Sequence, residues 1–161
     1  MARFTSGTKA EAVVLAPAKE IWDVLTDPLL VAELTPLLKR IDASGEHWTW
    51  HMTGLDVLGI EVAPTFTERM SYRDLERIDF SHDPPAGASE RAGVEGWYAL
   101  TELPESEGGG TRLATSLDIT LDLPLPKLST PAVTAAMRGV IGQMGERFSR
   151  NLLAHLGAEQ R

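Results

Sequence analysis

Three side chains in the middle of the chain have the chemistry for acid and base catalysis. His82 lies at the end of a predicted strand, and a histidine that titrates near neutral pH suits enolisation, aldol cyclisation or dehydration. Glu68 alternates with Phe66 and Met70, which predicts that it faces the interior, where burial would raise its pKa. Tyr98 lies in a later strand and can bind a ligand carbonyl. These three are the candidate catalytic side chains, but their spacing does not assign an acid, a base and an oxyanion donor to one site.

Other polar side chains in the strands have simpler interpretations. His51 lies between Trp50 and Met52 in a strand, so alternation places it on the opposite face, outside the protein if those two residues are inside. Arg69 and Arg112 either anchor a ligand carbonyl or carboxylate or form salt bridges with acidic neighbours. The sequence leaves both interpretations of the arginines open.

Neither a metal nor a cofactor is predicted. The four histidines, at positions 47, 51, 82 and 155, show no HExxH motif and no tight ligand spacing. With no cysteine in the chain, a disulfide, a thiolate nucleophile and a Cys-ligated zinc or iron-sulfur centre are excluded. The chain also lacks G-x-S-x-G, P-loop and G-x-G-x-x-G motifs, so hydrolysis by a serine nucleophile, phosphoryl transfer and dinucleotide binding have no support.

These side chains are carried by a run of strands between helices. A strand is predicted over residues 8–15, a helix from Pro17 to the Asp27-Pro28 stop, and a short second helix over 29–34. Alternating patterns then predict strands over residues 38–44, 47–53, 59–71, 75–82, 95–102 and 111–123. Short polar loops join them, so the strands pair antiparallel, and the sheet needs a covering element.

The last predicted helix, residues 131–155, is the only element long enough to cover that sheet. One apolar stripe runs along it, formed by Val133, Met137, Val140, Ile141, Met144, Phe148 and Leu152. Thr130 is the predicted N-cap and Gly157 the predicted C′ residue.

The same helix contains three glycines, each of which costs about 1 kcal/mol relative to alanine in a helix interior. They suggest cavity space or close backbone approach. Helical spacing predicts that Gly145 faces the sheet and that Gly142 faces solvent or a partner chain.

Size and charge limit the possible partners. The 161 residues with 43% hydrophobic content predict one domain spanning 1–161. A net charge of −8 and a pI near 5.0 repel phosphate backbones and anionic membranes, so neither nucleic acid nor membrane insertion is expected. The first 14 residues lack the apolar core of a signal peptide, which favours a cytoplasmic location.

Two phrases resemble a known superfamily. VLAPAKEIWDVLTDP, residues 14–28, resembles the opening strand, Ala-Pro turn and helix of the SRPBCC, or START-like, superfamily. GGTRLATSLDITLDLPLP, residues 109–126, resembles its last strand before the terminal helix. The resemblance, which covers nearly the whole chain, implies an α+β helix-grip fold: about seven bent antiparallel strands around a long C-terminal helix, with a cavity between. The polyketide cyclase/dehydrase and lipid-transport-like subgroup is the most similar in appearance.

In such a fold, the inner strand faces and the helix stripe would line a ligand pocket. The predicted lining residues are Trp50, Met52, Phe66, Met70, Phe80, Trp97, Leu117 and Ile119 from the sheet, and Met137, Ile141, Met144 and Phe148 from the helix. Four methionines suit changing apolar ligands.

The resemblance leaves three functions open. The first is binding or transport of a small hydrophobic molecule such as a lipid, isoprenoid or polyketide. The second is an aromatase/cyclase-type enzyme acting in the same cavity, and the third is a co-chaperone-like protein-interaction module. A monomer and a homodimer both fit the sequence.

Overall fold

The computed structural model describes residues 1–161 and consists of nine strands, three α-helices and two short 3-10 turns. The strands are β1 Ala2–Val14, β2 Leu38–Ser44, β3 His47–Met52, β4 Leu55–Val57, β5 Ile60–Val62, β6 Thr65–Arg73, β7 Arg77–His82, β8 Ala92–Glu102 and β9 Thr111–Leu123. The helices are α1 Ala18–Leu25, α2 Pro28–Leu34 and α3 Thr130–Leu156. None of these helices has the length and apolar character needed to cross a membrane.

Seven strands form one antiparallel sheet in the order β1-β9-β8-β7-β6-β3-β2. Every neighbouring pair in it is antiparallel, as short connections require. The α3 backbone runs beside β1 at one edge of the sheet and also approaches α2 and β4. The sheet with its long C-terminal helix confirms the predicted α+β helix-grip architecture.

The two short helices are set by local sequence. Ile21, Val24 and Leu25 make the buried face of α1 together with Trp22. Asp27 caps α2, since its side chain accepts hydrogen bonds from two backbone N–H groups of the first turn at 3.0 and 3.3 Å. These helices close one end of the sheet.

The largest differences between the structure and the predicted strands lie in β1 and over residues 55–65. β1 begins at Ala2 rather than at residue 8, because its whole length pairs with β9. The strand predicted over 59–71 is broken before Thr65 at Pro64, which gives the separate strands β5 and β6. β4 and β5 form a small hairpin outside the main sheet, and Val57 of this hairpin packs against α3 through Val133 and Met137.

Only the C-terminal end of α3 agrees with the predicted capping residues. Gly157 ends the helix with a φ of 62°, and its N–H reaches the carbonyl of Ala154, as predicted. The predicted Thr130 cap is wrong. A 3-10 turn leads directly into the helix, so the Thr130 hydroxyl donates to the Lys127 carbonyl at 2.6 Å and Ser129 precedes the helix without a side-chain cap.

The prediction that Gly145 faces the sheet is also wrong. Gly139, Gly142 and Gly145 are all exposed, and a methyl group added to any of them would meet no atom within 4 Å. Successive glycines three residues apart drift by only about 60° around the helix, so all three stay on the side away from the apolar stripe. The glycines therefore provide neither cavity space nor a close backbone approach within this chain.

Candidate functional site

The apolar interior between the sheet and α3 is divided into two main clusters. The first, here called the α1 cluster, contains Ile21, Trp22, Trp48, Met70, Ile78, Phe80 and Leu100 among its buried members. The second, the hairpin cluster, contains Phe4, Met52, Val57, Phe66, Leu121, Leu123, Val133 and Met137. The boundary between the two clusters crosses β3, β6 and β8, so it does not result from one strand alone.

Three strands show where the division lies. On β3, Trp50 contacts both clusters and stays half-buried. On β8, Val94 does the same. On β6, the residue between the two clusters is Glu68, flanked on the same face by Phe66 of the hairpin cluster and Met70 of the α1 cluster. A carboxyl group therefore occupies the place where the apolar core is interrupted.

Glu68 is buried without a charge partner. Its residue is only 3% exposed, and its carboxyl group forms neither an ion pair nor a hydrogen bond. Burial, which disfavours the ionised carboxylate, raises the pKa of Glu68 from 4.5 to about 8. At neutral pH, Glu68 is therefore mostly a neutral carboxylic acid, a group that can donate a hydrogen bond.

Two tyrosines lie within electrostatic reach of Glu68. Tyr98 on β8 packs against Phe80 with ring centres 5.8 Å apart, and burial, with a smaller contribution from the Glu68 charge, raises its pKa to about 12. Tyr72 on β6 has its ring edge against Trp22, and burial followed by the Glu68 charge raises its pKa too. Both phenols remain protonated donors over the physiological pH range.

Several polar side chains of this part of the interior lack hydrogen-bond partners. Among fully enclosed side-chain nitrogens and oxygens, Trp50 Nε1 is the only one without a hydrogen-bond partner. The Glu68 carboxyl and the Tyr98 hydroxyl also lack partners, so they are not fully enclosed, although Glu68 is buried and Tyr98 is half-buried. Buried polar groups are normally paired, and unpaired ones beside space indicate room for water or a ligand.

His82 stands opposite Glu68 in the β6–β7 ladder but is held by another residue. Its Nε2 lies 2.9 Å from Glu90 Oε1, and the Glu90 side chain is only 10% exposed. Glu90 also accepts hydrogen bonds from the Thr67 N–H and the Thr67 hydroxyl, each at 2.8 Å. This carboxylate fixes the histidine ring and ties the loop before β8 to β6.

Most of the predicted lining residues lie on the inner face, but their burial differs. The fully buried ones are Met52, Phe66, Met70, Phe80 and Met137. The half-buried ones are Trp50, Leu117, Ile119, Ile141, Met144 and Phe148. The half-buried group surrounds the division between the two clusters.

The prediction for Trp97 is wrong. It pairs with Asp79 and Ser116 on the outer face, where the Arg77 guanidinium lies 4.7 Å from its ring centre. Strand alternation allows either Trp97 or Tyr98 to face inward, and the structure selects Tyr98. The outer face there has an open groove of about 860 Å³ whose lining includes Trp97 and Asp118.

The two candidate arginines also lie outside. Arg69 pairs with Glu46 at 3.2 Å and Arg112 pairs with Glu11 at 2.9 Å, so neither is available to an interior ligand. His51 lies on the outer face, as alternation predicts, 2.8 Å from Asp42 Oδ2. The Arg40 hydrogen bond is the main cause that lowers the Asp42 pKa, with His51 contributing further.

Sequence reasoning did not identify two residues that shape the site. Val94 lies just outside the predicted strand, which begins at residue 95, whereas β8 begins at Ala92. Glu90 lies in an irregular loop, and only its contacts with His82 and Thr67 reveal its role. An alternating pattern extended back from Tyr98 would have found Val94, but no local pattern marks Glu90. No group of three or more histidine, aspartate and glutamate side chains is arranged to hold a metal ion.

Comparison with solved structures shows the fold class. A conserved protein from Geobacillus kaustophilus superposes with a TM-score of 0.67 at 12% identity, covering 99% of each chain. A START superfamily protein from Mycobacterium smegmatis gives 0.62 at 15% identity, covering 95% of this chain and 97% of that one. The Zhui aromatase/cyclase from Streptomyces sp. R1128 gives 0.64 at 14% identity, covering 95% and 94%.

These similarities show that the chain has the START-like, helix-grip fold, which confirms the superfamily resemblance at the level of the fold. No protein-family model matches the sequence, and no curated protein matches it either. The fold supports both binders and enzymes, so a function has to be argued from the site itself.

Proposed function

We propose that the chain binds a small, largely apolar molecule between the sheet and α3, at the level of Glu68. The observation that carries this proposal is the interrupted core: the α1 and hairpin clusters are joined only through half-buried side chains, and the carboxyl between them has no partner. A packed core would leave neither half-buried inner residues nor a partnerless carboxyl at its centre.

The surrounding surface defines the kind of ligand. Trp50 and Phe66 stack with ring centres 5.7 Å apart, Met144 of α3 packs against the hairpin cluster, and Phe148 of α3 packs against the α1 cluster. Aromatic rings and methionines form adaptable apolar walls. A ligand with a ring system or a branched chain would make the apolar contacts that these side chains do not make within the protein.

Native mass spectrometry of the protein purified from its own host tests this function. We expect a bound compound that survives gentle ionisation and is released on denaturation, with extraction returning an apolar molecule. If the protein carries no compound and also fails to bind neutral apolar dyes, the proposed function is wrong.

A second function, proton transfer of the aromatase/cyclase type in the same interior, is favoured by one observation. A neutral Glu68 within electrostatic reach of the Tyr98 hydroxyl can hydrogen-bond a carbonyl oxygen and stabilise an enol as it forms. A reactive poly-β-keto thioester incubated with the protein should then cyclise faster than in buffer, and Glu68→Leu should remove the acceleration. Equal rates with and without protein would leave binding as the function.

A further inference from the structure

We propose that the interior ligand carries a neutral hydrogen-bond acceptor, such as a ketone, ester or ether oxygen, that receives a hydrogen bond from the Glu68 carboxylic acid. This inference rests on the proposed binding function and specifies its ligand class. It starts from the buried carboxyl at the break in the core, which has no partner within the protein.

The polar groups at the site are mainly donors. Glu68 is a donor when it is protonated, and the hydroxyl of the half-buried Tyr98, which pairs with Ile78 in the ladder, is a second donor without a partner. Backbone groups of the surrounding strands are used in the β-ladders. An acceptor on the ligand would satisfy these donors, whereas a purely hydrocarbon ligand would leave them unpaired.

An anionic ligand does not fit this set. The two arginines that could have faced the interior, Arg69 and Arg112, are paired with acidic residues on the outer surface. A carboxylate or phosphate between the clusters would lie beside Glu68 without a cation, and burial of an unpaired charge is costly.

An ammonium ligand fits less well than a neutral acceptor. It could pair with an ionised Glu68, but its remaining N–H groups would face apolar side chains such as Met144 and Phe148 of α3. The neutral carboxylic acid is the form that burial favours, and binding a cation would require Glu68 to ionise first.

Besides Glu68, three ionisable side chains face this part of the interior. Tyr98 on β8 and Tyr72 on β6 stay protonated well above pH 8. His82 on β7 is held by Glu90 and is the other group that faces this level from a neighbouring strand. Trp48 faces Glu68 from β3, and the facing residues of α3 do not ionise.

Three naphthalene dyes with different polar groups test the inference: the neutral ketone Prodan, anionic anilinonaphthalenesulfonate and cationic naphthylethylammonium. We expect Prodan to bind most tightly and its affinity to fall about tenfold as the pH rises through about 8, since ionised Glu68 no longer donates. Glu68→Gln keeps an N–H donor and should bind Prodan without this pH dependence. Glu68→Leu should bind it about tenfold more weakly at all pH values.

Glu95→Gln is the matched control, because Glu95 lies on the exposed outer face of β8 and should leave both affinity and pH dependence unchanged. Tightest binding of the cationic dye, increasing above pH 8, would overturn the inference in favour of an ammonium ligand. Equal binding of all three dyes, with no effect of the Glu68 variants, would overturn it while leaving the binding function intact. If none of the three dyes binds, both this inference and the proposed binding function are wrong.

Discussion

At the scale of single residues, Glu68 is the unusual feature of this protein. Most buried carboxyl groups are paired, and a partnerless one is retained only where it has a use or where its cost is tolerated. Alternation with Phe66 and Met70 predicted its inward direction from sequence. Its isolation was not predictable, because alternation places Arg69 on the opposite face but does not identify Glu46 and Glu11 as the acidic residues that pair with Arg69 and Arg112 there.

The first prediction concerns stability and pH. The pKa of Glu68 is about 8 in the folded protein and near 4.5 when unfolded, so between these values the unfolded chain loses a proton that the folded chain keeps. Stability should therefore fall as the pH rises from about 4.5 to about 8 and level off above, by on the order of 5 kcal/mol in total. Urea denaturation of wild type and Glu68→Gln across this range measures the difference.

The difference between the two curves removes the contribution of the other titrating groups. Glu95→Gln, an exposed substitution on β8, should give a curve parallel to that of the wild type. If the wild-type and Glu68→Gln curves also run parallel, Glu68 is ionised in the folded protein.

The second prediction concerns Glu90, which holds His82 and both polar groups of Thr67. Glu90→Ala should destabilise the protein by about 2 to 3 kcal/mol, because Thr67 is 2% exposed and its N–H and hydroxyl would lose this partner. Thermal unfolding measures the effect, with Glu95→Ala as the exposed control. A change as small as that of the control would show that Glu90 does not hold the loop.

At the scale of elements, the long helix shows how far the sequence pattern can be used. The apolar stripe correctly predicted Val133, Met137 and Leu152 as buried. The pattern of three glycines did not indicate their environment, since a missing side chain is compatible with a close contact and with open solvent. Only the position of α3 beside β1 decides between them, and the glycines face solvent.

The third prediction follows from that exposure. Replacement of Gly139, Gly142 or Gly145 by alanine should stabilise the protein by roughly 0.5 to 1 kcal/mol each, because nothing obstructs the added methyl group and alanine favours the helix. Thermal unfolding of the single and triple variants measures this.

Gly157→Ala, at the residue that follows the same helix, is the contrasting variant. Gly157 has a φ of 62°, which is unfavourable for a residue with a Cβ, so this substitution should destabilise by about 1 kcal/mol. Destabilisation by the three alanines in the helix interior would instead indicate that the outer face of α3 is covered in solution.

At the scale of the whole molecule, the order of elements was more predictable than the interior. Antiparallel pairing, the two short helices and the covering helix follow from alternation, turn residues and apolar spacing. The interior depends on which inner residues touch across the sheet, and alternation alone placed Trp97 inside although it stacks with Arg77 outside. The break between the α1 and hairpin clusters results from contacts between residues that are far apart in the sequence. No local sequence pattern predicts such contacts.

The central claim is that ligand space lies between the two clusters, and one substitution tests it directly. Val94 is half-buried and contacts both clusters, so Val94→Phe should extend into that space. Leu100→Phe is the control, since Leu100 is 5% exposed within the α1 cluster and an enlarged side chain there should overpack the core, at a cost of about 1 to 3 kcal/mol.

Urea denaturation combined with Prodan titration of Val94→Phe is the decisive measurement. We predict stability within about 1 kcal/mol of the wild type, because the ring fills existing space, together with loss of dye binding. Destabilisation as large as that of Leu100→Phe, with dye binding unchanged, would show that the interior is filled and that the ligand site is not between these clusters.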